Sequence, residues 1–308
     1  MEVASFIIRR LARLAATVLI IATVVFFVIR VIPGDPALVI AGIDSNPEDI
    51  AAIRARLGLD RPLALQYLDW LWRTISLDFG TSFFSGEPVN RLLFQRFPIT
   101  FAIACLAFLF ALVVAIPAGV LSAVYRWTPV DYAGMVYSQL GMAVPGFWLG
   151  IILLLLFSVR LRLFPLFGAD SLLHLVLPAI ALGVGRSAFL TRMVRSSMIE
   201  ELSREYVLTA RAKGLPNRLV RYRHALKNAL LPVITVAGIQ FGGLLGGSII
   251  IEQVFSIPGL GRLLLSGIYG RDFPIIQGGV IFIAVVFSLV NFFVDILYTV
   301  VNPRIRLS

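Results

Sequence analysis

Six stretches of largely apolar residues dominate this sequence, at 11–32, 99–124, 133–159, 172–190, 229–251 and 275–301. A helix of about 20 such residues crosses the roughly 30 Å of hydrocarbon in a bilayer. In that medium every backbone N–H and C=O must be paired within the segment, so each run is expected to be a helix. The fold class that follows is all-α, a polytopic membrane protein with six transmembrane helices. Hydrophobic residues make up 59% of the 308 and charged residues only 14%, more apolar surface than a soluble core hides. The lone Cys105 lies in an apolar run and is expected to pack as a small hydrophobe, with no disulfide framework.

The first run follows Arg9, Arg10 and Arg13 and continues to Ile32 before Pro33-Gly34-Asp35-Pro36. That is too long for the apolar part of a cleaved signal peptide, so a retained span is expected. The fourth run is diluted by Gly183, Gly185 and Arg186, and Arg186 is expected to snorkel to the interface. Pro117, Pro145 and Pro178 fall inside runs two, three and four and predict kinks.

With both termini in the cytoplasm, the inner segments hold sixteen bases against five acids and the outer segments ten against eleven. This is the asymmetry of a multi-pass inner (plasma) membrane protein. The formal charge of +10 therefore reflects topology. The bases are neither contiguous in one folded domain nor interleaved with stacking aromatics, so lipid rather than nucleic acid is the expected partner. The outside segment, 33–98, carries its own helix signals. Asn46 before Pro47-Glu48-Asp49 marks a start, Gly58 a stop, and a second helix from Pro62 carries Tyr67, Trp70 and Trp72. These aromatics form either an interfacial cap or a docking surface for an outside partner. The chain shows no internal repeat and reads as one transmembrane domain.

The chemistry that is missing narrows the function. No G-x-x-x-x-G-K-[S/T] phosphate loop occurs, so this chain is not expected to bind and hydrolyse ATP. An ion-driven transporter keeps ionisable groups at mid-membrane. Here Asp295, with Asn291 one turn earlier, is the one candidate, read either as polar packing or as a polar lining of a path. His174 and His224 fall at opposite membrane faces and have no ligand partners at metal spacing. No catalytic constellation is present, and no enzyme activity is expected. The fifth run holds Gly238, Gly242, Gly243, Gly246 and Gly247, with Ser248, Glu252 and Gln253 at its outer end. Such spacing lets helices approach closely, and it also suits a smooth wall beside a translocation path.

The loop at 193–228 is the most specific feature. From Arg186 to Lys227 ten bases stand against three acids. Ser203 is expected to cap a run from Arg204 through Ala212 that ends at Gly214. Leu215-Pro216-Asn217 then makes a turn into a second basic helix approaching Pro232. A short helix projecting from the membrane with a glycine-ended tip suits a partner that moves.

The sequence Glu205-Tyr206-Val207-Leu208-Thr209-Ala210-Arg211-Ala212-Lys213-Gly214-Leu215, followed by His224-Ala225-Leu226-Lys227-Asn228-Ala229-Leu230-Leu231-Pro232, resembles the EAA loop of binding-protein-dependent ABC importers. The form is that of the dipeptide and oligopeptide permease family. Counted back from Gly214, Leu208, Thr209 and Ala210 fall at the Glu-Ala-Ala positions, and Ala210 and Gly214 match letter for letter. Similar to the same family, in order, are Leu57-Gly58-Leu59-Asp60-Arg61-Pro62-Leu63, Asp78-Phe79-Gly80-Thr81-Ser82 and Arg96-Phe97-Pro98-Ile99-Thr100. Later come Pro145-Gly146-Phe147-Trp148-Leu149-Gly150, Glu252-Gln253-Val254-Phe255, Asp272-Phe273-Pro274 and Asn302-Pro303-Arg304.

The resemblance points to the first, B-type permease subunit, most like a dipeptide permease. It implies a type I ABC importer permease fold (MetI-like) with a helical extracytoplasmic segment between the first two spans. It also implies a second homologous permease subunit as a heterodimer partner, two cytoplasmic P-loop ATPases holding ATP and Mg, and an extracytoplasmic substrate-binding protein. This chain itself is expected to hold no cofactor. Its coupling residues would be Glu205, Thr209, Ala210, Arg211, Lys213, Gly214 and Leu215, with Arg211 and Lys213 for polar contacts and Ala210 and Gly214 for close fit. Glu205 either pairs with Arg211 or serves as a helix-start acid. Gly242, Gly246, Ser248, Glu252, Asn291 and Asp295 are the candidates for the path or its packing. The expected cargo is di- or oligopeptide, ahead of nickel, glutathione or haem; a stand-alone membrane channel is the competing class.

Overall fold

The computed structural model describes residues 2–31, 36–42 and 45–301. Pro33-Gly34-Asp35 and Asn302-Pro303-Arg304 lie outside the described residues, as does the side chain of Asp295. In chain order the helices are α1 (Glu2–Val31), α2 (Pro36–Ala41), α3 (Pro47–Arg56), α4 (Leu63–Ile75), α5 (Val89–Val124), α6 (Pro129–Ala143) and α7 (Gly146–Leu153). They continue as α8 (Leu172–Leu202), α9 (Glu205–Ala212), α10 (Asn217–Leu219), α11 (Leu226–Val254), α12 (Leu260–Gly270) and α13 (Phe273–Val301). A π-helical stretch, Leu154–Arg160, prolongs α7, and another, Val220–Ala225, joins α10 to α11. Among the described residues the only β pairing is an isolated bridge between Thr81 and Pro88.

Among the described residues five helical stretches are long and apolar enough to cross a membrane, and a bent pair makes six if it counts as one crossing. That pair stands where a single span kinked at Pro145 was expected, at 133–159. Here α6 and the α7 stretch through Arg160 meet at 100°. Pro145 has no N–H to carry the helix on, and it forces the preceding Val144 into an extended conformation (φ −80°, ψ 122°), so α6 stops and α7 starts afresh at Gly146. By contrast, α5 and α8 run on as single helices through Pro117 and Pro178. Other boundaries also move. α5 begins at Val89 rather than 99, and α8 continues to Leu202 rather than ending at 190. Apolarity marks the part of a helix that lipid can cover, while the backbone hydrogen bonding continues past it into segments such as 89–93 and 194–198, whose Val89, Leu93, Val194 and Met198 are packed in apolar clusters.

The chain packs as two compact units: Met1–Ile99 with Pro258–Leu289, and Thr100–Ile257 with Val290–Ser308. In the first unit α4 lies along α1. Phe26, Phe27, Tyr67 and Trp70 form an aromatic cluster, and the Thr23 and Tyr67 hydroxyls are 2.8 Å apart. Arg30 lies over the Phe26 ring and donates to Gln66 Oε1 through Nη2 (3.1 Å) and Nε (3.3 Å), which accommodates a cation at the end of an apolar helix. Trp72 faces away from this cluster and is exposed.

A second apolar cluster of the first unit gathers Val89, Leu93, Leu260 and Ile275 beside a polar knot. Asp272, 1% exposed, accepts from Ser82 Oγ (2.6 Å) and from the Phe83 N–H (3.0 Å) through Oδ2. Arg271, in the left-handed region at φ 56°, caps α12 and turns Asp272 inward. Two stretches almost two hundred positions apart in sequence, Asp78–Ser82 and Asp272–Pro274, are therefore joined by one carboxylate, about 190 residues from its serine partner.

In the second unit α8 is the central helix, packed by α6, α7 and α11. Small residues permit the contact. A Cβ on Gly183 would lie 2.7 Å from the Ala107 carbonyl oxygen, and one on Gly141 would lie 2.6 Å from Ala188 Cβ. Gly238 of α11 likewise faces Val294 of α13 with no room for a side chain.

The Asp272 knot carries a stability prediction. Asp272→Ala leaves the buried Ser82 hydroxyl and Phe83 amide without their acceptor, and it should cost ~2–3 kcal/mol. Thermal unfolding of the detergent-solubilised protein checks this; an unchanged transition would show that the knot is not structural.

Candidate functional site

The basic loop expected at 193–228 is mostly helix. Its first part is the end of α8, and its last part is the π-helical stretch and the start of α11, so the second basic helix is the beginning of the span itself. Only α9 and its two turns stand apart. Ser203 does not cap α9, because its hydroxyl donates back to the Glu200 carbonyl (2.7 Å) and closes α8. Arg204 occupies the N-cap position by backbone alone, and Glu205 sits in the first turn, where the helix N-terminus favours an acid. Among the described residues Glu205 has no ion pair with Arg211, although the carbonyl of Glu205 accepts from Thr209 Oγ1 (3.0 Å).

At the other end, Gly214 adopts φ +78°. Its N–H donates to the Arg211 carbonyl (2.9 Å), and the Leu215 N–H donates to the Ala210 carbonyl (3.3 Å). These two bonds make a Schellman ending, completed by the apolar contact of Leu215 and Ala210 with one core. Glycine is favoured there because a side chain in the left-handed region costs about 1–2 kcal/mol.

The faces of α9 divide cleanly. Val207 (0% exposed) and Ala210 (8%) insert into an apolar cluster with Ala111, Leu190, Val194 and Met198. Ala210, expected to provide close fit to a partner, therefore packs its methyl inside its own chain. Leu208 (54% exposed), Thr209, Arg211, Lys213 and Gly214 make the outer surface.

The base of α9 is tied down by polar bonds. Tyr206 donates to Glu201 Oε2 (2.6 Å) and accepts from Asn228 Nδ2 (3.0 Å), linking the end of α8 to the start of α11. Partial burial, followed by the bond to Glu201, pushes the Tyr206 phenol above its ordinary value. Arg204 pairs with Glu200 (2.6 Å). These bonds use the acids Glu200 and Glu201 within the loop, while Arg211 and Lys213 stay exposed.

One turn deeper, Asp131 of α6, fully buried, accepts from Arg195 of α8 through both oxygens (2.6 and 2.8 Å). Ser122 Oγ (2.8 Å) and the Trp127 N–H (3.1 Å) complete its shell. Sequence reading counted both charges only toward topology; a single acid in the short inner segment between the second and third runs was the signal. Asp131→Ala would leave the partly buried Arg195 cation without its carboxylate and is expected to cost ~3 kcal/mol. Proteolytic sensitivity of the α8–α9 junction is the measurement, and wild-type resistance would refute the structural role of the pair.

The path candidates separate. Ser248 and Glu252 are fully buried: Ser248 donates to the Leu245 carbonyl (2.9 Å), and Glu252 accepts from Thr100 (2.7 Å). Gly242 is buried, and a Cβ on Gly246 would meet nothing within 4 Å. Asn291 is half-buried. A cavity of about 410 Å³ opens between α6, α7, α8 and α11, lined by Gly141, Phe147, Arg186, Gln240 and Gly247 among others. Arg186 Nη1 donates to Gln240 Oε1 (2.7 Å) on the neighbouring helix. A glutamine within a glycine-rich apolar run was the sequence signal for this site. His174 serves a capping box with Ser171 at the start of α8, and among the described residues no group of three metal-binding side chains gathers.

The chain is a polytopic helical membrane protein with a short, glycine-ended helix tied between two of its spans. The chain belongs to the family described as binding-protein-dependent transport system inner membrane component, whose pattern matches residues 115–307. The N-terminal membrane-component pattern of the same systems matches residues 3–104. It is a permease subunit of an ABC importer, held in the inner membrane by several helices.

The chain is 42% identical to a putative peptide transport system permease protein of Brucella abortus (strain 2308), over 98% of this chain and 99% of that protein. It is 41% identical to the glutathione transport system permease protein GsiC of Salmonella choleraesuis, again over 98% and 99%. Among solved structures it is similar to a chain of the inward-facing MetNI methionine ABC transporter. That match has a TM-score of 0.59 and 22% identity, covering 70% of this chain and 99% of that one.

Proposed function

We propose that this chain is one of two homologous six-span permeases that together form the pore of an importer for peptides delivered by an extracytoplasmic binding protein. Its α9 docks on a separate ATPase that binds ATP and Mg. The observation that carries the docking role is the division of α9. Its inner face is locked into the core and its base is tied to α8 and α11, so a push on the outer face is passed to two spanning helices rather than absorbed by a loose loop. ATPase states that differ in how they hold this face then bias the pore between its own states. Both termini lie on the ATPase side, as the excess of bases in the inner segments favours. The segment holding α2, α3 and α4 lies on the opposite side, between the first two spans.

Peptide-like cargo is favoured by the names of relatives matched along nearly the whole chain, which are peptide and glutathione permeases. Glutathione is itself peptide-like, so these two cargoes share a chemistry that nickel does not.

Leu208 and Arg211 test the docking role without disturbing the fold, because both are exposed. With the assembled complex, Leu208→Asp and Arg211→Glu should each reduce co-purification of the ATPases about tenfold or more, as loss of an interface anchor does, with unchanged thermal stability. Undiminished co-purification by both variants would remove the docking assignment.

A further inference from the structure

In the cavity of the second unit, Arg186 is the single charged residue of the lining. Among the described residues its one hydrogen bond to protein is to the neutral amide oxygen of Gln240, and no carboxylate pairs with it. A guanidinium carries five N–H donors, so most of its donors have no protein acceptor. Arginine within a spanning helix is costly and marks function unless it is neutralised.

Other buried charges on this chain show what neutralisation looks like. Asp131 has Arg195, Ser122 and a backbone amide, and Arg30 has Gln66, a carbonyl and an aromatic face. Arg186 has space instead. The α11 backbone beside it is Gly243, where a Cβ would lie 3.4 Å from Nη2. Gly247 puts no side chain into the lining, while Phe147 and Ile250 supply apolar surface.

We propose that this cavity is a cargo subsite in which Arg186, held by Gln240, receives the free carboxylate of a passing peptide while the apolar wall accepts its side chains. The proposal rests on the peptide-import reading and deepens it. A planar guanidinium forms two parallel bonds with a carboxylate, and the contact is strengthened by the apolar surroundings. The same cation repels a hydrated divalent metal, so the subsite discriminates between peptide-like and metal cargo. One such contact in one permease suits transport because it is enough to orient the cargo and too little to hold it.

The test uses the complete transporter, with both permeases, the ATPases and the binding protein, reconstituted in lipid vesicles with trialanine as the probe. Arg186→Gln should lower ATP-dependent trialanine uptake about tenfold or more, the weight of one charge-assisted contact. Arg186→Lys, which keeps the cation, should recover most of it. Gln240→Glu supplies Arg186 with an internal carboxylate; it should assemble normally, judged by co-purified ATPases, yet import as poorly as Arg186→Gln. Wild-type uptake in either Arg186→Gln or Gln240→Glu overturns the subsite, as does equal loss in the Lys and Gln variants at Arg186. If the wild-type complex itself takes up no trialanine, the peptide reading fails and the subsite falls with it. That result is distinct from a wild type that imports and variants that import equally well.

Discussion

In hydrocarbon, one apolar helix gains nothing by leaving lipid for another, so helix association depends on how closely backbones approach and on whether buried polar groups are met. The second unit is organised around that constraint. α8 carries Gly183, which has no room for a side chain against the Ala107 carbonyl, and Ala188, which leaves space only for a glycine at 141 on α6. Where the constraint is relaxed, the cavity opens. Along the same α8 and α11 pair, Gly243 and Gly247 face Arg186 and Leu182 at ordinary distances. The glycine-rich stripe of α11 is thus not uniform: Gly238 is closed on Val294, and Gly246 faces open space.

Polar groups hold the remaining joints in place. Within the first unit, Asp272 gathers the segment around Ser82, and Arg30 joins α1 to α4. Within the second, Asp131 and Arg195 pin α6 to α8 just before α8 gives way to α9, and Tyr206 bridges Glu201 and Asn228 across the base of α9. That placement suits the docking role proposed for α9: the side-chain bonds cluster at its base, while Gly214 at its end has nothing within 4 Å of where a side chain would begin.

The helices were largely legible because hydrophobic length is written directly into sequence, and α9 was legible because its stop, Gly214, is a local backbone requirement. Their ends were not. α8 continues well past its apolar part because Arg195, Met198 and their neighbours are held by partners from α6 and the core, which no local pattern encodes. Pro145 was read as a kink and became a break, while Pro117 and Pro178 left their helices continuous. The rule for proline is the same at all three; what differs is the packing around it. Ala210 shows a similar limit: a motif position identifies a residue but not which face of the short helix it occupies, and that face is set by the cluster into which Val207 and Ala210 fit.

The solvent, the helical class, the family and the location of the short helix could all be read from the residues alone. Each depends on composition, length or local backbone geometry. Packing was needed to show that Arg186 turns to Gln240 beside a cavity, that Glu252 is spent on Thr100, and that Asp272 reaches back to Ser82. The physical reason is that a charge in a membrane protein is defined by its partners. Those partners lie 54, 152 and 190 residues away in sequence, brought together only when the helices pack.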